Sequence, residues 1–332
     1  MTFARADHWV WDFWIADDGD RYHLYYLHAP RSLGDPDLRH RNARIGHASS
    51  VDLRAWDDHG EVLGPGEPGS FDGSATWTGS VVKADDGSWR MFYTGSRFLA
   101  DDSVANIETI GMATSTDLHA WNKSPGPIVT ADPTWYETLA AGTWREEAWR
   151  DPWVFRHGNE WRMLITARSA EGGSAGGDVL DRGVVGLATS PDLVTWTVRP
   201  PLSRPGAGFM HIEVPQQLDL DGTTVLLFSC DSPHLAGDRG GRGERGGIWS
   251  ITVPTDAQEY PIDHATRLLD EQYYSGRAIR DRAGSWVLLA FENVGDGGEF
   301  VGRLSEPMPL RWEGDTLVAV LDNTQAGLEA AR

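Results

Sequence analysis

The sequence predicts an all-β protein, a five-bladed β-propeller whose four-stranded antiparallel blades surround a central channel. Three segments with one pattern carry this prediction: IGHASSVDLRAW at 45–56, IGMATSTDLHAW at 110–121 and VGLATSPDLVTW at 185–196. Each has a glycine, a strand of small residues and the tag Asp-Leu-x-x-Trp, in which the aspartate is expected to bind turn amides and the tryptophan to pack back over its blade. The spacing is too long for a solenoid repeat and suits one blade per segment.

Hairpin patterns give the count of five blades. A polar turn followed by an alternating strand precedes each tagged segment, in DDGDRYHLYYLH, DDGSWRMFYTGS and RHGNEWRMLITA. Two further units, LDGTTVLLFSC with GGIWSITV and DRAGSWVLLAFEN with FVGRLSEP, keep the hairpin and lack the tag. A β-sandwich is the alternative architecture, but equivalent units with a long period favour radial closure, which protects the sheet edges.

The chain is expected to form one propeller domain over 1–322, followed by a short tail over 323–332. The Gly-rich insertions 171–183 and 231–247 are predicted to be mobile loops of the third and fourth blades. Segments 31–42 and 171–183 are expected to shape the rim of a pocket.

Composition restricts the partners. Of the 332 residues, 40% are hydrophobic and 23% charged, which is typical of a packed globular protein. The formal net charge of −20 argues against nucleic acid or an anionic membrane and suits a small neutral carbohydrate. Cys230 is the only cysteine, so no internal disulfide can form. No signal-peptide pattern or membrane-length apolar run is present, so a cytoplasmic location is expected and the oligomeric state is left open.

Three carboxylates stand in aromatic-flanked strands of different units: Asp12 in WVWDFW, Asp151 in WRDPWV and Glu213 in HIEVPQ. Each precedes its hairpin, so each belongs to an innermost strand that lines the channel, and the three are expected to converge. Burying a charge among Trp, Phe and Ile costs several kcal/mol unless a function uses it. No cofactor fingerprint occurs, and the histidine spacing predicts no metal site.

The motifs WVWDFW, TWTGS, MFYTG, WRDP and IEVP, with the late segment YYSGRAIRDRAGSWVLLAFEN, resemble in order those of glycoside hydrolase family 32 and its relative family 68. The resemblance implies a retaining β-fructofuranosidase acting on sucrose, a short fructo-oligosaccharide or a related furanoside. It assigns Asp12 as nucleophile, Glu213 as general acid/base with a raised pKa, and Asp151 as transition-state stabiliser. Arg150 is expected to help hold the furanose hydroxyls.

Further substrate-binding residues are expected around these acids. Trp77 and Thr78 are predicted to line the pocket wall, His211 to contact the substrate or Glu213, and Tyr274 to tune Glu213. Trp11 stands where the family usually has asparagine before its nucleophile, which predicts a reshaped donor pocket.

Three alternatives stay open. The first is an inverting arabinofuranosidase or xylosidase like those of family 43, in which Asp12 acts as a general base through water. The second is a fructosyltransferase with a sugar acceptor. The third is a non-catalytic sugar-binding propeller, against which the presence of all three acids argues.

Overall fold

A computed structural model describes residues 2–171, 178–254 and 257–321, so the tail predicted over 323–332 lies outside the described residues. The predicted five-bladed β-propeller is confirmed, with each blade an antiparallel sheet in the order of the chain or its reverse. The innermost strands of neighbouring blades contact one another around the ring, including the last with the first.

Blades one to three have four strands each, joined by hairpins. Blade one comprises β1 (His8–Asp17), β2 (Tyr22–Pro30), β3 (Arg44–Ser50) and β4 (Asp57–Leu63). Blade two comprises β5 (Ala75–Lys83), β6 (Trp89–Phe98), β7 (Asn106–Ser115) and β8 (Asn122–Lys123). Blade three comprises β9 (Trp149–His157), β10 (Glu160–Arg168), β11 (Gly183–Ser190) and β12 (Thr197–Arg199).

Blades four and five complete the ring. Blade four comprises β13 (Glu213–Leu220), β14 (Thr223–Cys230), β15 (Gly247–Thr252) and β16 (Thr266–Asp270). Blade five comprises β17 (Tyr273–Arg280), β18 (Trp286–Val294), β19 (Phe300–Leu304), β20 (Met308–Glu313) and β21 (Thr316–Ala319). It departs from the predicted four strands, because β19 and β20 both pair with β18. Pro307 stands in the gap between them, and proline cannot donate to a strand ladder.

The N-terminal segment closes the ring onto the last blade. The Leu304 amide donates to the Phe3 carbonyl over 2.9 Å, which ties the segment before β1 to β19. β1 also contacts β17, β18 and β19. The first innermost strand is therefore fixed from both neighbouring blades, which matters because it carries Asp12.

The repeated tag forms the same turn three times. In the third copy the Asp192 Oδ1 atom accepts from the amides of Val194 and Thr195, as predicted for this turn. Leu193 in the middle is buried and has φ 65°, a left-handed conformation that leucine rarely adopts. The leucine thus anchors the turn in the core, which compensates for the backbone strain.

The tag tryptophans of blades two and three pack on the preceding blade, whereas the sequence predicted packing over their own. The Trp121 ring lies edge-on to Tyr25 of blade one, with centroids 5.6 Å apart. The Trp196 ring meets Phe92 of blade two in the same way, at 5.4 Å. These two tags therefore each join two blades, because the turn directs the ring across the interface.

The helical structure of the described residues consists of short turns in the connections. The 3₁₀ turns are Arg31–Leu33, Pro36–Asn42, Leu139–Ala141, Ser232–His234 and Ile262–His264, and one α-helical turn spans Gly237–Gly241. Among the described residues, none of these helices has the length and apolar character needed to cross a membrane.

Candidate active site

All five innermost strands are irregular at one point of their pairing with the second strand. The register shifts fall between Trp11 and Phe13, between Trp77 and Gly79, and at corresponding points of β9, β13 and β17. A bulge leaves a residue out of the ladder and redirects its side chain or backbone. The residues in these bulges include Asp12, Thr78, Asp151, Val214 and Ser275.

One cavity of about 620 Å³ lies at this ring of bulges. Its wall contains every residue that the sequence singled out, from all five blades: Trp11, Asp12, Trp77, Thr78, Arg150, Asp151, His211, Glu213 and Tyr274. The volume is in the range of pockets that bind small molecules. The three acids therefore converge on one cavity, as the sequence predicted.

Asp12 is held between two hydroxyl groups from neighbouring blades. The Ser275 hydroxyl donates to its Oδ1 atom and the Thr78 hydroxyl to its Oδ2 atom, each over 2.5 Å. Burial raises the pKa of Asp12, while these two hydrogen bonds lower it and so oppose that effect. Two neutral donors thus fix the orientation of the carboxylate.

Asp151 lies deeper and is only 2% exposed. The Thr166 hydroxyl and the Val214 amide both donate to its Oδ2 atom, over 2.8 and 3.1 Å. Burial raises the pKa of Asp151 to about 7, against the lowering effect of Arg150, and the charges of Asp12 and Glu213 raise it further. Its φ of 60° is left-handed, so the bulge at this position is strained in order to aim the side chain.

Glu213 has a donor on each oxygen. The Arg150 guanidinium donates to Oε1 over 2.6 Å, and the Tyr274 hydroxyl donates to Oε2 over 2.5 Å. Burial acts to raise the pKa of Glu213, but the charge of Arg150 and the bond from Tyr274 outweigh it and lower the pKa. The predicted proximity of Tyr274 to Glu213 is thus present.

The order of acidity differs from the expectation for the acid/base residue. The resemblance predicted a raised pKa at Glu213, and the structure shows the raised values at Asp12 and Asp151 instead. Arg150 causes this difference, because its guanidinium group is paired with Glu213. The sequence predicted that Arg150 would help hold the furanose hydroxyls. Among the three predicted acids, Glu213 is therefore the one whose pKa is lowered.

Two further acids surround Arg150 and were missed from the sequence. The fully buried Glu108 of β7 accepts from Arg150 Nη1 over 3.0 Å and from the Trp149 amide. Burial raises the pKa of Glu108 to about 8, against the lowering effect of Arg150. Glu146 lies 3.5 Å from the same nitrogen. The aligned repeats contain a signal, because Glu108 occupies the place of Ala43 and Gly183 three residues before the shared glycine.

Aromatic and basic residues form the outer wall. The Trp77 indole donates to the His40 carbonyl over 2.8 Å, which fixes its ring at the rim. The Arg39 guanidinium lies over Phe300 at 4.0 Å and near Trp11 at 5.9 Å. Residues 37–41 line the cavity, so the prediction that segment 31–42 shapes the rim is confirmed.

His211 lies beside the acids on the approach to β13, not on the strand itself. One ring nitrogen is 3.5 Å from Glu146 and the other 3.9 Å from Glu213. Neither nitrogen has a hydrogen-bond partner among the described residues. Burial lowers the pKa of His211 well below its usual value, so the ring is neutral and has both a donor and an acceptor for a ligand.

The two Gly-rich insertions differ from each other. Segment 231–247, predicted to be a mobile loop, contains two short helical turns, and its Asp231 and His234 line the cavity. In segment 171–183, residues 172–177 lie outside the described residues, and none of the described ones lines the cavity. Segment 231–247 therefore contributes to the site, which the sequence did not predict.

A comparison of the sequence with models of protein families identifies the family of this chain. A sequence model described as "Glycosyl hydrolases family 32 N-terminal domain" matches residues 14–300. The chain belongs to glycoside hydrolase family 32. The match begins two residues after Asp12, so the position of this acid in the family 32 cavity rests on the geometry given above.

Curated relatives are longer than this family 32 chain. The raffinose invertase of Escherichia coli is 24% identical over 307 residues, which are 88% of this chain and 54% of that protein. The sucrose-6-phosphate hydrolase of the same organism is 29% identical over 240 residues, which are 70% of this chain and 44% of that protein. The chain thus spans about half the length of these two relatives.

Solved structures have the same fold. The inulosucrase from Halalkalicoccus jeotgali bound to kestose superposes with a TM-score of 0.77 at 21% identity, over 95% of this chain and 88% of that one. The Bombyx mori family 32 β-fructofuranosidase BmSUC1 gives 0.72 at 20% identity, over 98% of this chain and 65% of that one. At these identities the likeness establishes the propeller fold.

Proposed function

We propose that the chain is a retaining glycoside hydrolase that cleaves β-fructofuranosides through a covalent glycosyl-enzyme intermediate. The observation that carries the proposal is the convergence of Asp12, Asp151 and Glu213 from three blades on one cavity of a family 32 propeller. Retaining hydrolysis requires one carboxylate as nucleophile and a second carboxyl group that protonates the leaving oxygen.

The environments of the acids support unequal roles. Asp12 accepts from two neutral hydroxyls, which orient its oxygens and leave it more reactive as the nucleophile than direct pairing with a cation would. The Glu213 side chain is a fifth exposed, against 4% for Asp151, as suits the group that protonates a leaving sugar. Asp151 keeps Oδ2 in bonds with the protein, which leaves Oδ1 for ring hydroxyls.

The substrate class follows from the cavity and from the relatives. Two tryptophans, Trp11 and Trp77, present aromatic surface beside the polar floor, and such surface packs against the C–H faces of sugars. The related proteins are named as an invertase of raffinose and hydrolases of sucrose 6-phosphate. We infer a small fructoside such as sucrose or a short fructo-oligosaccharide as substrate.

The test combines variants with product analysis on sucrose, raffinose and arabinosides. Asp12→Asn is expected to abolish turnover, and Glu213→Gln to lower kcat by about 10²–10⁴-fold, the range of general acid–base catalysis. The matched controls are Asp263→Asn and Glu259→Gln, which change exposed acids outside the cavity. They are expected to keep the activity of the parent. Near-normal turnover by Asp12→Asn or Glu213→Gln would contradict the assignment.

Added methanol distinguishes the alternatives. A covalent intermediate transfers fructose to methanol with retention and gives the methyl β-fructofuranoside, which NMR identifies. An inverting enzyme gives no product of this configuration, and a transferase converts sucrose mainly to longer oligosaccharides. Saturable sugar binding without release of any monosaccharide would indicate the non-catalytic sugar-binding propeller.

A further inference from the structure

Four histidines meet at the interface between blades one and two, and none of them lines the active-site cavity. His23, His47 and His59 come from β2, β3 and β4, and His119 comes from the tag turn of blade two. One nitrogen from each of His47, His59 and His119 lies within 4.8 Å of the others. The sequence spacing predicted no metal site here, because the fold joins residues that are far apart in the chain.

The rings pack directly on one another. The His47 centroid is 4.7 Å from that of His59, 4.8 Å from that of His119 and 5.2 Å from that of the stacked His23. His47 is buried, whereas His59 and His119 are exposed at the surface. The cluster is thus open to solvent on one side, which gives an ion a route of entry.

Hydrogen bonds leave a lone pair of the buried His47 available. His23 Nε2 lies 3.2 Å from Asp18 Oδ2, and a carboxylate requires a donor at that nitrogen. His23 Nδ1 then accepts from His47 Nε2 over 3.0 Å, so His47 Nδ1 carries the lone pair. A histidine ligand oriented by an outer carboxylate through hydrogen bonds is the usual arrangement at metal sites.

The second ligand has a similar support. His59 Nε2 lies 2.9 Å from the Ser49 hydroxyl, which also accepts from Arg21 Nε over 3.1 Å. The Ser49 hydroxyl thus orients the His59 ring through Nε2. Metal ions bind imidazole through a nitrogen that carries no proton.

We propose that His47, His59 and His119 bind a divalent transition-metal ion of the zinc class that joins blade one to blade two. Imidazole nitrogens select zinc, copper, nickel or cobalt over magnesium and calcium, which prefer oxygen ligands. Ligands at about 2.0–2.1 Å from zinc in a tetrahedron lie roughly 3.3 Å apart, so small rotations of the two exposed side chains complete the site. Water takes the fourth position.

The repeats show that these histidines do not belong to the tag pattern. In the aligned repeats, Met112 and Leu187 occupy the position of His47. Arg54 and Val194 occupy the position of His119. The blade fold therefore needs no histidine at either place. Both substitutions fall where blades one and two meet, which supports a role for the cluster at this interface.

The experiment uses protein without an affinity tag that has been treated with a chelator. It is titrated with ZnCl₂ and, separately, with MgCl₂ in a calorimeter. We expect one zinc ion per chain, no magnesium binding, and a zinc-dependent rise in Tm. Cobalt(II) in place of zinc is expected to give the intense visible absorption bands of a tetrahedral site. His119→Ala and His59→Ala should each weaken zinc binding by at least about tenfold, the lower limit reported for losing even an outer-shell partner.

His264→Ala is the matched control, because His264 is three-quarters exposed and lies outside the cluster beside Asp263. It should bind zinc like the parent. The absence of saturable zinc binding by the parent would overturn the proposal, and so would equal affinity in His119→Ala and His59→Ala. Because both altered side chains are exposed, their Tm without metal should match the parent's, and the zinc-dependent shift separates loss of the site from loss of folding.

Discussion

Removing the hydroxyl of Tyr274 tests how the cavity sets the acidity of Glu213. This hydroxyl donates to Glu213 Oε2 over 2.5 Å, while Arg150 holds Oε1. A hydrogen bond to a charged group contributes about 1.5–3 kcal/mol. Since 1.36 kcal/mol corresponds to one pKa unit, Tyr274→Phe should raise the pKa of Glu213 by about one to two units.

The sign of the effect on activity follows from the proposed role. A general acid must be protonated, so kcat/KM falls as the pH rises through the pKa of Glu213. Tyr274→Phe should therefore move the alkaline limb of the kcat/KM profile upward by about one to two pH units. The measurement is sucrose hydrolysis between pH 4 and pH 9, with the full profile fitted for each variant.

Tyr260→Phe is the matched control, because Tyr260 is a buried tyrosine whose hydroxyl binds the neutral Gln217 outside the cavity. Its pH profile should coincide with the parent's. An unmoved alkaline limb in Tyr274→Phe, or a limb moved toward acid, would refute the reasoning. Either result would mean that Tyr274 does not stabilise the ionised form of Glu213.

Two further predictions concern the other acids. Thr78→Val removes one hydrogen-bond donor from Asp12. The pKa of Asp12 should therefore rise, and the acidic limb of the kcat/KM profile should move upward by about one pH unit. The buried hydroxyl of Thr109 has no hydrogen-bond partner among the described residues, so Thr109→Val should leave this limb unchanged. The pKa of Asp151 is raised to about 7 in the folded protein. The protonated carboxyl group therefore contributes to folding stability below about pH 4, and this contribution is lost as the pH rises through 7. Asp151→Asn should therefore unfold at least about 2 °C above the parent at pH 8, with a smaller gain at pH 5, by calorimetry.

The sequence predicted the blades and the three acids because both depend on local patterns. Asp12, Asp151 and Glu213 were found from their place before a hairpin, and the innermost position of a strand follows from the order of strands in a blade. The tag turn was also predicted, since an aspartate that binds its own turn is a local interaction. These features need no knowledge of how distant blades meet.

What the sequence did not predict depends on contacts between blades. The Ser275 hydroxyl reaches Asp12 across the closure of the ring, 263 positions along the chain. The direction of Arg150 toward Glu213 and Glu108, and with it the order of acidity, is fixed by the packing of blades two, three and four. The four-histidine cluster arises in the same way, so spacing along the chain contains no signal for it.

The charges in the cavity connect substrate binding to the position of the proton. Arg150 lies within 4 Å of four acids, so these acids compete for one cation: Glu108, Glu146, Asp151 and Glu213. Burial favours protonation at Glu108 and Asp151, while the proposed role as general acid requires it at Glu213. A bound sugar that excludes water raises the cost of charge at Glu213, and a sugar hydroxyl that donates to Asp151 favours the ionised form there. Both effects move the proton preference toward Glu213, so the proposed general acid is expected to be protonated when a substrate occupies the cavity.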